Sequence, residues 1–157
     1  MPIVSNTSPI LNLAIIGRLT LLRQQCGEIV IPQAVFDEFR LEQNLPGTAE
    51  ISEAIQEGWI SVREISRREQ ACLLERELDK GESEAITMAL ELKAELVLVD
   101  ERDARRICTA LGLNVIGVIG ILAKAYKNGH LPSLENTILE LKEKAGFYIE
   151  DKLMQAI

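Results

Sequence analysis

Residues 96–103, which read LVLVDERD, constrain the fold of this chain more than any other stretch. Four apolar residues, two of them β-branched valines, run directly into Asp100, and Asp103 follows three positions later, before a helical pattern begins. This pattern is typical of a buried parallel strand over residues 96–99 that ends at a pair of carboxylates. In open α/β sheets ligands bind beyond the carboxyl ends of the strands, so both acids are candidate site residues.

Short apolar segments and amphipathic segments alternate along the rest of the chain. Further strands are predicted at residues 3–5, 29–31, 59–65 and 114–116, with amphipathic helices between and after them. This alternation predicts a three-layer α/β/α sandwich with a parallel sheet in an order near 3-2-1-4-5. The chain of 157 residues is interpreted as one domain, because 47% hydrophobic content at this length suits a single core.

Local signals place the helix ends. Ser8 is predicted to cap the first helix, and the charged run 66–80 is predicted to form one amphipathic helix. The helix over residues 82–92 has a narrow apolar stripe with Glu82 at its head, whereas Glu84 projects almost the opposite way. Glu84 stays the alternative third acid if that helix begins later.

Charge and cysteine content limit the classes of function. A net charge of −7 and a pI near 4.9 argue against non-specific nucleic-acid binding through a basic surface, but not against binding through metal-bridged phosphates. Three scattered cysteines without CxxC spacing indicate buried thiols rather than a disulfide framework or a zinc site. No apolar run approaches the roughly 20 residues of a membrane span and no cleavable leader is visible, so we expect a cytoplasmic protein with no membrane contact.

Polar residues that follow strands or begin helices converge on one edge of the predicted sheet. They are Asn6, Glu38, Glu82, Asp100 and Asp103. Crowded carboxylates raise one another's pKa unless a cation joins them, and an oxygen-only ligand set suits Mg²⁺ or Mn²⁺. Such a site fits metal-assisted hydrolysis of a phosphodiester, with a carboxylate taking the proton from a metal-activated water.

The same acids also have ordinary structural interpretations. Asp100 and Asp103 can cap or stabilise the helix that follows them, and Glu82 can do so one helix earlier. For any acid alone this structural interpretation is slightly better than a functional one, whereas the set together favours a site.

Three further residues are candidates for substrate binding. Ser8 lies at the first strand-to-helix turn, and Arg102 and Arg105 lie close after Asp100, where they can bind phosphate or form the solvated side of their helix.

The sequence does not support two other kinds of functional site. The lone histidine, His130, leaves no Ser-His-Asp triad, and the missing GxGxxG fingerprint argues against a nucleotide-binding regulatory domain.

Four motifs occur in an order that resembles the PIN-domain superfamily. They are IVSNTSP at 3–9, P-x-x-V-x-x-E at 32–38, G-E-x-E-A-I at 81–86 and LVLVDERD at 96–103. This superfamily includes VapC-like toxin ribonucleases. The remainder, residues 117–157, looks like the C-terminal helical extension of a prokaryotic PIN-like branch.

The resemblance implies a Mg²⁺- or Mn²⁺-dependent endoribonuclease that cleaves single-stranded RNA. Glu38, Glu82, Asp100 and Asp103 would be the catalytic acids, and they would hold the metal together with Asn6. The chain would be the toxin of a toxin–antitoxin pair, with an antitoxin protein as its partner, and would form a homodimer.

One departure from the family pattern concerns the end of the first strand. The family usually has aspartate there, whereas Asn6 offers a carbonyl oxygen without a negative charge, so metal affinity should fall. The alternative interpretation is therefore a catalytically weak PIN-like module that binds nucleic acid or protein.

Overall fold

The computed structural model describes residues 1–149 of the chain. In this part, parallel strands form one sheet in the order β3-β2-β1-β4-β5. The strands are β1 Ile3–Ser5, β2 Ile29–Pro32, β3 Ile60–Arg63, β4 Leu96–Leu98 and β5 Val115–Ile116. The predicted sheet order and the α/β/α sandwich are confirmed.

Helices connect the strands and cover both faces of the sheet. They are α1 Thr7–Ile15, α2 Thr20–Cys26, α3 Gln33–Phe39, α4 Thr48–Glu57, α5 Arg68–Leu74, α6 Lys80–Leu92, α7 Arg102–Ala110, α8 Val118–Lys127 and α9 Leu134–Ala145, with a 3₁₀ turn at Leu41–Gln43. None of the helices in residues 1–149 is long and apolar enough to cross a membrane.

Each face of the sheet has its own apolar core, because successive side chains of a strand point to opposite faces. Ile3 and Leu98 lie in a core with residues of α1, α2, α4, α8 and α9. Val4 and Val97 lie in the second core, with residues of α5, α6 and α7. The two central strands, β1 and β4, are therefore buried on both sides.

The register of the central strands brings two chain segments out of the sheet side by side. Ser5 pairs with Leu98, and the backbone N–H of Asn6 donates to the Leu98 carbonyl at 2.9 Å. Asn6 directly follows β1, and Asp100 follows β4 after one further residue, Val99, so both emerge at the same edge of the sheet.

The first helix begins earlier than the sequence predicts. Asn6 has an extended backbone and is the N-cap of α1, so the predicted cap at Ser8 is wrong. Ser8 already lies inside the helix, and its hydroxyl donates a hydrogen bond to the Asp100 carboxylate instead.

The segment 66–80 does not form one helix. Helix α5 ends at Leu74, and the chain then turns so that Asp79 can cap α6, which begins at Lys80. Helix α6 is also buried from Gly81 to Ala89 rather than along a narrow stripe, because it lies between the sheet and helices α3, α5 and α7.

The cysteines differ in their surroundings. Cys108 is buried and burial raises the pKa of its thiol to about 11. Cys26 is half-buried, whereas Cys72 is exposed on the outer side of α5, so the prediction of buried thiols is wrong there. All are free thiols.

Helices α8 and α9 are part of the main core rather than an appendage. They pack against each other and against α1, and α8 also packs against α2. Residues 146–149 continue without helix or strand, and residues 150–157 of the predicted extension lie outside the described part of the chain.

Candidate active site

Asn6 places a buried amide at the end of the central strand β1. The residue is only 4% exposed, and its side-chain oxygen Oδ1 has no hydrogen-bond partner within residues 1–149. Buried polar atoms are nearly always paired with protein, water or an ion, so an orphaned oxygen here indicates a place for a ligand.

Asp100 follows β4 and is held by hydrogen bonds to both of its carboxylate oxygens. The Val118 N–H donates to Oδ1 at 2.7 Å, and the Ser8 hydroxyl donates to Oδ2 at 2.9 Å. Ser8 is itself fixed by the Asn12 amide, which donates to its Oγ at 2.9 Å. Burial raises the pKa of Asp100, although these two bonds and the charge of Arg105 work in the opposite direction.

Gly117 explains how the Asp100 carboxylate can come so close to the backbone. A Cβ at this position would lie 2.7 Å from Asp100 Oδ1 and 2.7 Å from Arg105 Nη1. A side chain here would therefore displace the carboxylate from its backbone donor.

Glu38 reaches the same edge from the last turn of α3. The Thr7 hydroxyl donates to its Oε2 at 2.5 Å, and the Gly81 N–H also bonds to its carboxylate. Burial is the main cause of the raised pKa of Glu38, and the negative charge of Asp79 adds to it.

Glu82 lies in the first turn of α6 and is 7% exposed. It forms a capping box with Asp79: the Glu82 N–H donates to Asp79 Oδ1 at 2.8 Å, and Glu82 Oε1 accepts from the Asp79 N–H at 3.1 Å. Burial raises the pKa of Glu82, and the charges of Asp79 and Glu101 raise it further. Glu82 therefore stabilises the start of α6 as part of the capping box, and it also contributes negative charge to this edge of the sheet.

Two acids that the sequence reasoning missed join the predicted ones. Asp79 acts electrostatically on both Glu38 and Glu82, and Glu101 acts on both Glu82 and Asp100. The D-x-x-E spacing of a helix cap was the signal for Asp79. We call the resulting row the acidic edge: Glu38, Asp79, Glu82, Glu101 and Asp100.

Asp103 is the predicted acid that the structure does not bring to the acidic edge. Helix α7 begins at Arg102, and its buried face is formed by Ala104, Ile107 and Cys108. Asp103 lies on the solvent side of the first turn, where its side chain is 71% exposed and faces Arg106 at 4.0 Å.

Glu84 is buried away from the acidic edge. Its Oε1 accepts from the Ala34 N–H at 3.1 Å, and its Oε2 pairs with Arg68 at 2.8 Å. Both oxygens thus hold α3 and α5 onto α6, and the geometry favours Glu82 over Glu84 as the third acid.

The two candidate phosphate-binding arginines differ in exposure and in their contacts with other residues. Arg102 is exposed at the start of α7. Arg105 is half-buried, donates to the Val99 carbonyl at 3.4 Å and lowers the pKa of Asp100. Arg105 therefore balances the charge of Asp100, whereas Arg102 is available to a ligand.

The acidic edge is not a closed metal cage. Within residues 1–149, no three His, Cys, Asp or Glu side chains are grouped so that they could hold an ion together. Mg²⁺ is, however, usually bound through one or two carboxylates, with water and substrate phosphates completing its coordination. The orphaned Asn6 oxygen and the neighbouring Asp100 carboxylate fit this open mode of binding.

A parallel 3-2-1-4-5 sheet with acids along its carboxyl edge defines a PIN-like α/β sandwich. The chain belongs to the PIN domain family DUF3368, whose model matches residues 2–157. PIN domains have a nuclease-type fold and generally depend on divalent metals.

A comparison of structures agrees with this assignment. A PilT N-terminus domain protein from the hyperthermophilic archaeon Sulfolobus solfataricus P2 has 24% sequence identity and a TM-score of 0.54, over 80% of this chain and 93% of that chain. This likeness concerns the fold alone. No curated protein matches the chain at a significant level.

Proposed function

We propose that this protein is a metal-dependent endoribonuclease that cleaves single-stranded RNA at the acidic edge, with Mg²⁺ or Mn²⁺ as its ion. The observation that carries the proposal is the orphaned, buried oxygen of Asn6 at the same sheet edge as the fixed carboxylate of Asp100. An amide without a partner and an acid whose pKa is raised by burial are both stabilised by a bound cation.

In this proposal Asn6 and Asp100 hold the metal, and Ser8 keeps Asp100 in position. When held by these residues, the ion would supply a water of lowered pKa and would neutralise the charge that develops on the phosphate. Glu38 and Glu82 are the candidate general bases, because their raised pKa makes them better proton acceptors than ordinary surface glutamates.

RNA cleavage by a matched pair of aspartate variants tests the proposal. Asp100→Asn removes a charge at the acidic edge, whereas Asp103→Asn removes the same charge three residues away in solvent. With Mg²⁺ and a labelled single-stranded RNA, we expect Asp100→Asn to lower the cleavage rate by about 100-fold or more, which corresponds to a loss of roughly 3 kcal/mol. Asp103→Asn should keep the wild-type rate, and EDTA should abolish cleavage. Equal rates for both variants, or cleavage in EDTA, would contradict the proposal.

The second candidate function is a PIN-like module that binds nucleic acid or protein with little catalysis. It is favoured by the neutral Asn6 and by the lack of a three-acid group in residues 1–149. RNA binding without any cleavage at millimolar Mg²⁺ and Mn²⁺ would select it.

Assembly and biological role are further parts of the proposal. We expect a cytoplasmic toxin that is held inactive by an antitoxin protein, and a homodimer formed through the C-terminal helices. Tyr126 on α8 and Leu139 on α9 are exposed and supply apolar surface for such a contact. Light scattering at micromolar concentration should report a dimer, and a monomer would contradict this expectation.

A further inference from the structure

A cavity of about 520 Å³ opens beside the acidic edge. One wall is formed by Ser8 and Asn12 of α1, and the floor by residues 100–102. The opposite wall is the segment 145–148, which follows α9. The cavity thus joins the Asp100 carboxylate to the C-terminal segment of the described chain, and its volume suits a small organic ligand.

Tyr148 is an exposed aromatic residue on a fixed segment of this wall. Gly146, with a φ of 66°, ends α9 and turns the chain, and Phe147 then packs against the main core. Ile149 is buried on the other side of Tyr148, whereas Tyr148 itself is 81% exposed. Two anchored neighbours therefore hold an aromatic ring in solvent next to the cavity.

The polar groups of the cavity complete a recognition surface. Asn12 has an amide that can bond to the edge of a planar heterocycle, and Arg102 presents an exposed guanidinium for phosphate. Aromatic platforms beside cationic groups are the usual means by which proteins bind single-stranded nucleic acids, since every base can stack. The position next to Asp100 places such a base close to the phosphate at the acidic edge.

We propose that this cavity is a nucleobase subsite in which the Tyr148 ring stacks on a base of single-stranded RNA adjacent to the cleaved phosphate. The proposal rests on the proposed function for the choice of RNA as ligand. It adds a binding residue in the C-terminal segment that the acidic edge does not include.

The test is equilibrium binding of a fluorescent single-stranded oligoribonucleotide and of an abasic oligonucleotide of the same length. Binding is measured to the full chain with Ca²⁺ in place of Mg²⁺, and a gel confirms that the RNA stays intact. The variants are Tyr148→Ala, Tyr148→Phe and the control Leu73→Ala, which removes an exposed apolar side chain of α5 that does not line the cavity.

We expect Tyr148→Ala to weaken RNA binding by about tenfold or more, as the loss of one stacked base does. Tyr148→Phe keeps the ring and should stay within about twofold of wild type, and Leu73→Ala should bind as wild type does. The abasic probe should bind wild type and Tyr148→Ala equally. Unchanged RNA affinity in Tyr148→Ala, or an equal loss for the abasic probe, would overturn the subsite.

Failure of the subsite and failure of the proposed function give different results. Tyr148-dependent RNA binding without any Mg²⁺-dependent cleavage would keep the subsite and reject the nuclease. If cleavage depends on Asp100 but Tyr148→Ala leaves the RNA affinity unchanged, the nuclease proposal stands and the subsite is rejected.

Discussion

Asp100 carries a negative charge in a place where burial disfavours it. Its two hydrogen bonds offset part of that cost, but its pKa stays above the ordinary value for an aspartate. Burial also raises the pKa of Glu82, and partial desolvation raises the pKa of Glu38 although its side chain is largely exposed, with the charge of Asp79 adding to both. At neutral pH the metal-free protein therefore holds three carboxylates that a cation would stabilise.

The pH dependence of stability follows from this excess of buried charge. Because the pKa of Asp100 is raised in the folded state, the native protein keeps a proton that the unfolded chain has already released. The contribution of this group is then largest below the unfolded pKa, near 4, and is lost as the pH rises through the folded pKa. Urea unfolding from pH 4 to pH 7 should show wild type losing stability relative to Asp100→Asn over this window. A difference between the two proteins that is constant with pH, or that changes in favour of wild type, would contradict the raised pKa.

Arg68 and Glu84 form a second critical contact, inside the helix layer. Arg68→Ala leaves the buried Glu84 carboxylate without its cation, and because the Arg68 side chain is itself 54% exposed and screened by water, we expect the free energy of unfolding to fall by about 1–2 kcal/mol. Arg67→Ala is the matched control, because its side chain is exposed and it should change stability by less than about 0.5 kcal/mol. Chemical denaturation measures both values, and equal values for the two variants would show that the buried pair has no stabilising role.

At the scale of elements, the start of α6 determines where two of the acids lie. The capping box fixes Glu82, and the Gly81 N–H binds Glu38 from the neighbouring helix α3. A Cβ at position 81 would lie 2.3 Å from Glu38 Oε1, so glycine is needed for this close approach.

Gly81→Ala should therefore separate activity from stability. The Glu38 carboxylate can rotate away from the new methyl group, and alanine favours a helix over glycine by up to about 1 kcal/mol. We expect unchanged or slightly higher stability by urea unfolding, together with a lower rate of RNA cleavage that resembles the rate of Glu38→Gln. Full activity in Gly81→Ala would show that the position of Glu38 does not matter for cleavage.

In the molecule as a whole, the sheet was predictable from local patterns because its inner strands β2, β1 and β4 are buried on both faces. Residues 29–31 and 96–99 are continuous apolar runs, and Ile3 and Val4 form a shorter one, as such strands require. The turns after β1 and β4 were also predictable from the local sequence. The prediction therefore placed Asn6 and Asp100 correctly at the same edge of the sheet.

The features that were missed depend on packing between distant segments. The sequence predicted Ser8 as a helix cap, but its hydroxyl donates a hydrogen bond to Asp100, which lies ninety-two residues away in the sequence. On an isolated helix Glu84 points almost opposite to Glu82, whereas in the structure Glu84 is buried and contacts Ala34 of α3 and the exposed Arg68 of α5. The exposure of Asp103 likewise depends on where α7 begins relative to the sheet, which the sequence does not specify locally.

Calorimetric titration of wild type, Asn6→Asp and Asp100→Asn with Mg²⁺ and Mn²⁺ decides whether the sheet edge at Asn6 and Asp100 binds a divalent metal. A charge added about 4 Å from a divalent ion is worth several kcal/mol at an effective dielectric near 20, before desolvation and repulsion by the other acids reduce it. We expect wild type to bind Mg²⁺ and Mn²⁺ weakly, Asn6→Asp to bind them about tenfold or more tightly, and Asp100→Asn to bind neither. Absence of binding by wild type and Asn6→Asp at millimolar metal, or equal affinities in all three proteins, would contradict metal binding at this edge and leave these residues as structural caps.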